Sequence, residues 1–282
     1  MQCHRNGERS VYVSKLAIYP VKSMAPLLRQ RCIAEPRGLA GDRRWMVIDA
    51  DDRFVTGRAL PQLVLCQVST HDHGLTLSMH GDSIQVALPA ASAATRDVVV
   101  WRDTVAAHDA GDAVAAWLST QFQRPLRLVC QADDQHRWLA EGKALARGDE
   151  VSFADGYPLL LIGSASLQDL NDRLRAAVTM QHFRPNVVVA TDTPFVEDTW
   201  RSVAIGSAVF DVATACSRCI FTTVDPVSGA RREDGEPLRT LRDYRRLEGE
   251  GGKIMFGMNL ITRVAGTLSV NDVVRVIARR TE

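Results

Sequence analysis

Ala215-Cys216-Ser217-Arg218-Cys219-Ile220-Phe221-Thr222-Thr223-Val224-Asp225-Pro226 ends a β-like run and leads into a turn. It sets two thiols and a guanidinium within four residues. A thiolate is a soft metal ligand or a nucleophile, and a fixed positive charge beside it favours the ionised form. The residues that follow decide the fold context. A thioredoxin-like dithiol opens a helix after a strand in a βαβ unit, whereas the run from Ile220 to Val224 is β-prone. A zinc half-site needs a second ligand pair, and no second C-x-x-C or H-x₃₋₅-H follows. On these residues alone two readings stay open: one thiolate ligates a metal, or the pair is buried and inert.

The chain around this stretch reads as mostly β. In the first half, residues 11–19, 44–49, 53–56, 63–69, 75–79 and 84–88 are short strand-like runs bounded by Gly, Pro or Asp clusters. Asp49-Ala50-Asp51-Asp52 and Gly81-Asp82 read as hairpin turns, and residues 98–101 continue the pattern. The spacing favours a β-barrel or sandwich over alternating β-α units. Val114, Trp117, Leu118 and Phe122 then fall at helical intervals within residues 109–123, with Asp109 or Asp112 near the start. A strand over 126–130 precedes the polar stretch 131–150, the expected domain boundary or long loop.

In the second half, strand 159–162 precedes a helix bearing Leu167, Leu170 and Leu174, with Ser164 or Ser166 placed to cap it. Strands are expected over 187–190, 202–205, 208–213 and 254–262, and residues 269–277 should close the sheet. The fold class is thus mostly β with peripheral helices (α+β).

Length and composition set the outer limits. The 282 residues accommodate one large or two ordinary domains. Lys+Arg 34 against Asp+Glu 33 gives +1, so no general polyanion-binding surface, and hence no nucleic acid partner, is expected. Residues 1–10 are polar and no apolar run reaches membrane length, so neither an export signal nor a membrane span is expected. Cys3, Cys32, Cys66, Cys130, Cys216 and Cys219 are sparse and irregularly spaced, which reads as reduced thiol in a cytoplasmic protein.

Three cationic clusters stand at strand ends: Tyr19-Pro20-Val21-Lys22-Ser23, Thr56-Gly57-Arg58 and His182-Phe183-Arg184-Pro185-Asn186. The proline biases Arg184 toward an extended backbone. Such residues suit an anionic, heteroatom-rich ligand, although each alone reads as solvated surface charge. His71, His73 and His80 find no completing ligand, and Gly38-Leu39-Ala40-Gly41-Asp42-Arg43 reads as a turn without a phosphate-loop pattern. No G-x-S-x-G supports a serine triad.

Together these segments resemble a known family. The cluster ending in Lys22-Ser23, the run Gly41-Asp42-Arg43-Arg44-Trp45-Met46-Val47-Ile48, and Phe54-Val55-Thr56-Gly57-Arg58 resemble the N-terminal β-barrel that precedes MOSC domains. Phe183-Arg184-Pro185-Asn186, Glu197-Asp198-Thr199-Trp200, the cysteine stretch, Asp243-Tyr244-Arg245 and Phe256-Gly257 resemble the MOSC domain itself. The resemblance extends to the mitochondrial amidoxime-reducing component and its bacterial counterparts. The resemblance implies an N-terminal barrel domain over 1–135 and a MOSC β-barrel domain over 136–282.

The resemblance also implies a molybdenum cofactor (molybdopterin with molybdenum) and reduction of N-hydroxylated compounds, namely amidoximes, hydroxylamines and N-hydroxylated bases. It assigns the metal ligand to Cys219, with Cys216 as the alternative. It places Lys22, Ser23, Arg58, Ser164, Ser166, Arg184 and Asn186 around the pterin and its phosphate. Asp225 is the expected proton relay, or else a turn cap before Pro226. Some relatives carry a C-x₄-C-x₂-C iron–sulfur segment, which is not found after Cys219. Electrons are thus expected from a separate ferredoxin-like, flavoprotein or haem protein. A cofactor or sulfur carrier is the competing reading, disfavoured by complete barrel motifs without a pyridoxal-phosphate domain; a zinc or thiol-redox protein is a third.

Overall fold

The computed structural model describes residues 10–90, 92–132, 134–247 and 251–281. Cys3 and the polar start of the chain lie outside them. The strands are β1 (Tyr12–Ile18), β2 (Leu27–Arg29), β3 (Arg31–Glu35), β4 (Gly38–Leu39), β5 (Trp45–Ile48), β6 (Gln67–His71), β7 (Gly74–Met79), β8 (Asp82–Ala87), β9 (Thr95–Val100), β10 (Asp103–Asp109) and β11 (Arg127–Cys130). They continue with β12 (Leu159–Gly163), β13 (Val187–Ala190), β14 (Trp200–Ile205), β15 (Ala208–Ser217), β16 (Met255–Val264), β17 (Gly266–Ser269) and β18 (Val274–Arg279). The helices are α1 (Asp112–Phe122), α2 (Ser164–Asn171) and α3 (Leu238–Tyr244). The expectation of a mostly β chain with peripheral helices is met.

One eight-stranded sheet runs β18-β14-β15-β16-β12-β13-β1-β2. Its centre is β16, whose first eight residues are all buried, as a strand covered on both faces requires. Pairing is antiparallel throughout except between β12 and β13, which α2 joins as a crossover. Since β1 pairs with β13, and β17 with β3, the two halves of the chain share hydrogen-bonded sheets. Val13, Leu16, Phe210, Met258 and Leu260 are among the residues of its core. A second core, with Trp45, Val55, Leu77, Leu118 and Leu128, lies beneath β5–β11 and α1.

Several local expectations are corrected. Residues 53–56 make only isolated bridges, Ile48 to Phe54 and Arg53 to Val99. The run 63–69 begins as a 3-10 turn over Pro61–Leu65, because Pro61 fixes φ at the start, and only then becomes β6. Gly163, not a serine, precedes α2, while α1 begins at Asp112 and so has the expected aspartate at its start. Residues 269–277 are divided between the end of β17 and the start of β18, with Asn271 left-handed between them (φ 73). The turn expected at Asp49–Asp52 is present, with Asp49 accepting backbone hydrogen bonds from Asp51 and Arg53. The turn expected at Gly81-Asp82 falls one residue earlier, on His80-Gly81, both with positive φ, and Asp82 begins β8.

Candidate functional site

The cysteine stretch is placed by a defect in the central ladder. β15 and β16 shift register three times, and the last shift falls between Ala215, which faces Met258, and Ser217, which faces Met255. β16 therefore carries one extra residue there, and Gly257 takes it up at φ 77, where a Cβ would lie 2.6 Å from a carbon of Ile162. A bulge bends its strand and re-aims neighbouring side chains. Here it lies beside Cys216 and Ser217, at the end of β15, and a 3-10 turn over Ile220–Thr223 follows with Cys219 at its start. The β-prone residues 220–223 are thus a tight turn, held by Thr222 and Thr223 hydroxyls donating to the Cys219 and Ile220 carbonyls.

Both cysteines open on a cavity of about 910 Å³ that both halves of the chain line. Nine cationic side chains (Lys22, Arg43, Arg58, Arg102, Arg137, Lys143, Arg184, Arg218 and Lys253) face it against two carboxylates, Asp103 and Asp155. A nearly neutral chain therefore concentrates its positive charge in one concave place, which focuses the field on an anion.

Lys22, buried at 5% exposure, donates to the Phe153 carbonyl at 2.6 Å and pairs with Asp155. Arg58 donates to the other Asp155 oxygen at 2.6 Å and lies over the Trp101 ring, 4.4 Å from its centroid. Burial alone would raise the Asp155 carboxyl, but Lys22 and Arg58 win and hold it below the usual range. Burial also lowers Lys22, against the pull of Asp155.

Arg184 lies 4.1 Å from the Tyr19 ring centroid, and burial brings its guanidinium down to about 10. Its backbone departs from expectation: φ is 59, left-handed, despite the following proline. Ser23 (φ 70), Arg43 (φ 49) and Trp101 (φ 60) on the same cavity are also left-handed. Such strain costs roughly 1 kcal/mol or more at a non-glycine residue and collects at functional sites. The carbonyl of Arg184 is held by Arg43 at 3.3 Å. Asn186 secures this strand end, accepting from Arg43 and the Leu160 N–H and donating to the Ala17 carbonyl.

The two thiols differ. Cys216 packs against the core containing Phe183 and Phe256, and its sulfur accepts a hydrogen bond from Arg218 at 3.0 Å. No hydrogen bond to the Cys219 sulfur is found among the described residues. Both are free thiols. Arg58 Nε, Arg184 Nη2 and Arg218 Nε are buried donors without a protein partner. Among the described residues no three His, Cys, Asp or Glu gather as a metal-binding set.

The structure thus brings Lys22, Ser23, Arg58, Arg184, Asn186, Cys216 and Cys219 to one cavity. It puts the other three elsewhere. Ser166 is fully buried, donates to Glu197 at 2.7 Å and accepts from the Phe195 N–H; Ser164 exchanges hydrogen bonds with the Thr191 backbone. Asp225 accepts the N–H groups of Val227 and Ser228 and caps their turn. Sequence reading did not single out Asp155, Arg137, Trp101 or Trp138. Arg43 passed as part of a turn, though its pairing with buried Asp42 was foreshadowed by their adjacency.

Residues 10–125 match the MOSC N-terminal beta barrel domain, and residues 148–275 match the MOSC domain. Mitochondrial amidoxime reducing component 2 of Bos taurus is 34% identical over 275 residues, covering 92% of this chain and 81% of that protein. Mitochondrial amidoxime-reducing component 1 of Homo sapiens is 34% identical over 282 residues, covering 95% and 83%. The solved YUAD protein from Bacillus subtilis is matched over 95% of both chains at 9% identity and a TM-score of 0.43. With both domains matched in order and this identity over most of its length, the chain belongs to the MOSC family and is akin to the mitochondrial amidoxime-reducing components.

Proposed function

We propose that this chain is an oxidoreductase that holds a molybdenum cofactor in the cationic cavity and reduces N-hydroxylated compounds with electrons from a separate donor protein. The observation that carries the reading is the juxtaposition of Cys219 with buried, unpartnered guanidinium donors on one cavity wall. A lone thiolate is an incomplete ligand set, so a metal there must bring its other ligands along, as a pterin-borne metal does. The pterin phosphate is anionic and calls for desolvated cations. The residues present fit the group.

Cys219 would hold the metal, and Lys22, Ser23, Arg58, Arg184 and Asn186 would hold the pterin and its phosphate. When bound, the cofactor supplies the two-electron chemistry that removes oxygen from nitrogen. The protein's own part is binding and orientation. Arg43 and Asn186 fix the strained Arg184 segment, and Asp155 keeps Lys22 and Arg58 at one end of the cavity. Ser164, Ser166 and Asp225 enter this reading as structural residues, because each spends its hydrogen bonds on the chain itself. The electron donor is of the ferredoxin, flavoprotein or haem class.

The division into 1–135 and 136–282 is proposed for the sequence, the shared sheet notwithstanding. No helix among the described residues is long and apolar enough to cross a membrane. A cytoplasmic site is proposed from the cysteine usage, while the relatives compared are named as mitochondrial.

The test is molybdenum and pterin content after expression in a host that makes the cofactor. The wild type should carry both near equal stoichiometry, Cys219→Ser should lose molybdenum, and Cys216→Ser should keep it. A wild type with neither overturns the proposal. Bound cofactor without turnover from reduced viologen would favour the carrier reading, and zinc in place of molybdenum the thiol reading.

A further inference from the structure

Trp138 is a large aromatic residue held in water at the cavity wall. It is 56% exposed, lines the same cavity as Cys219, and belongs to none of the described hydrophobic cores. Its neighbours do the anchoring. Arg137 is buried and bonded to Asp103 and to the Ser152 and Ala154 carbonyls, while Leu139 packs with Val151, Ala154 and Ile261. The alternation of an extended segment turns the residue between them outward.

The indole is not left to wander. One face stacks on the His136 ring, with centroids 5.0 Å apart and planes 7° from parallel. His136 Nδ1 in turn contacts the buried carboxylate of Glu150 at 2.8 Å, and Trp138 bridges to Glu150 through the backbone. The other indole at this cavity, Trp101, is engaged by Phe54 at 5.0 Å and by Arg58 at 4.4 Å. A rigid ring with one face backed and more than half its surface exposed is a stacking platform for a flat ligand.

We propose that Trp138 is a specificity-determining residue that stacks on the substrate and makes planar aromatic N-hydroxylated compounds preferred over aliphatic ones. This rests on the reductase reading for its kinetics but not for its binding. Stacking is spent on binding flat compounds, not on the reacting bond, so it lowers KM and leaves kcat alone.

The test compares benzamidoxime with acetamidoxime on the full chain, for wild type, Trp138→Ala and Trp138→Phe, by viologen-driven kinetics and by calorimetric binding without reductant. Trp138→Ala should raise KM and Kd for benzamidoxime about tenfold, leave kcat unchanged and leave acetamidoxime unaffected. Trp138→Phe should recover most of the loss. An unchanged preference in Trp138→Ala, or an equal loss for both compounds, overturns the proposal. If the wild type turns over neither compound, the reductase reading fails, and the calorimetric ratio between the two compounds still decides the stacking one.

Discussion

Gly57 and Phe221 are in contact closer than any side chain would allow: a Cβ on Gly57 would lie 2.0 Å from Cε2 of the Phe221 ring. Gly57 stands between Thr56 and Arg58 in the first half, and Phe221 stands two residues beyond Cys219. The ring therefore rests on bare backbone where the two halves meet at the cavity. Arg184 lies on the same ring, 5.5 Å from its centroid.

Gly57→Ala should consequently be felt at the site. The added methyl must displace the ring, and with it the Cys219 turn or Arg58. Overpacking of this kind costs roughly 1–3 kcal/mol. The expected outcome is a lower Tm together with reduced molybdenum and pterin content after expression in a cofactor-making host. Wild-type values of both would mean that Phe221 swings aside freely and that the contact positions nothing.

What was legible beforehand follows from how local each feature is. The alternation of Leu75, Leu77 and Met79 in β7, the short apolar run of β13 and the helical spacing of Val114, Leu118 and Phe122 announce themselves within a few residues. Lys22, Arg58 and Arg184 were visible as cations at strand ends. That Asp155 joins Lys22 to Arg58 was not, since the partners are 133 and 97 residues away. The left-handed backbone of Arg184 also escaped local reasoning. A residue before proline prefers extended backbone, and the Arg184 N–H bond to the Met180 carbonyl, the stacks on Tyr19 and Phe221 and the Arg43 bond to its carbonyl hold it otherwise.

Ser166 is the position where resemblance and structure differ most usefully. Its hydroxyl donates to Glu197 and accepts from the Phe195 N–H at 2.8 Å, and Glu197 also takes the Gly163 N–H at the start of α2. Glu197 is fully buried, and burial raises its carboxyl above the usual range. Ser166→Ala would leave the part-buried Phe195 N–H unpaired and remove a hydroxyl bond from that buried carboxyl. It should cost about 1–3 kcal/mol in denaturant unfolding and leave molybdenum and pterin content unchanged. Loss of cofactor without loss of stability would return Ser166 to the binding site.

Asp109 gives the fold a definite dependence on acid. It ends β10 and accepts from Arg127 at 2.8 and 3.0 Å, from Arg96 at 2.6 Å and from the Gly111 N–H at 2.8 Å just before α1. Burial alone would raise its carboxyl, but these donors prevail and bring it from 3.8 down to about 2. A carboxyl more acidic in the folded chain stabilises the fold while ionised. Its contribution is therefore complete above the unfolded value and is lost as pH falls through the folded one. Asp109→Asn should be less stable than the wild type by about 1–2 kcal/mol at pH 7, discounted for the partial exposure of Arg96 and Arg127. In urea titrations the gap should hold down to about pH 5 and shrink by roughly half near pH 3. A gap of equal size at pH 3 and pH 6 would place the stabilisation in the shape of the side chain instead of its charge.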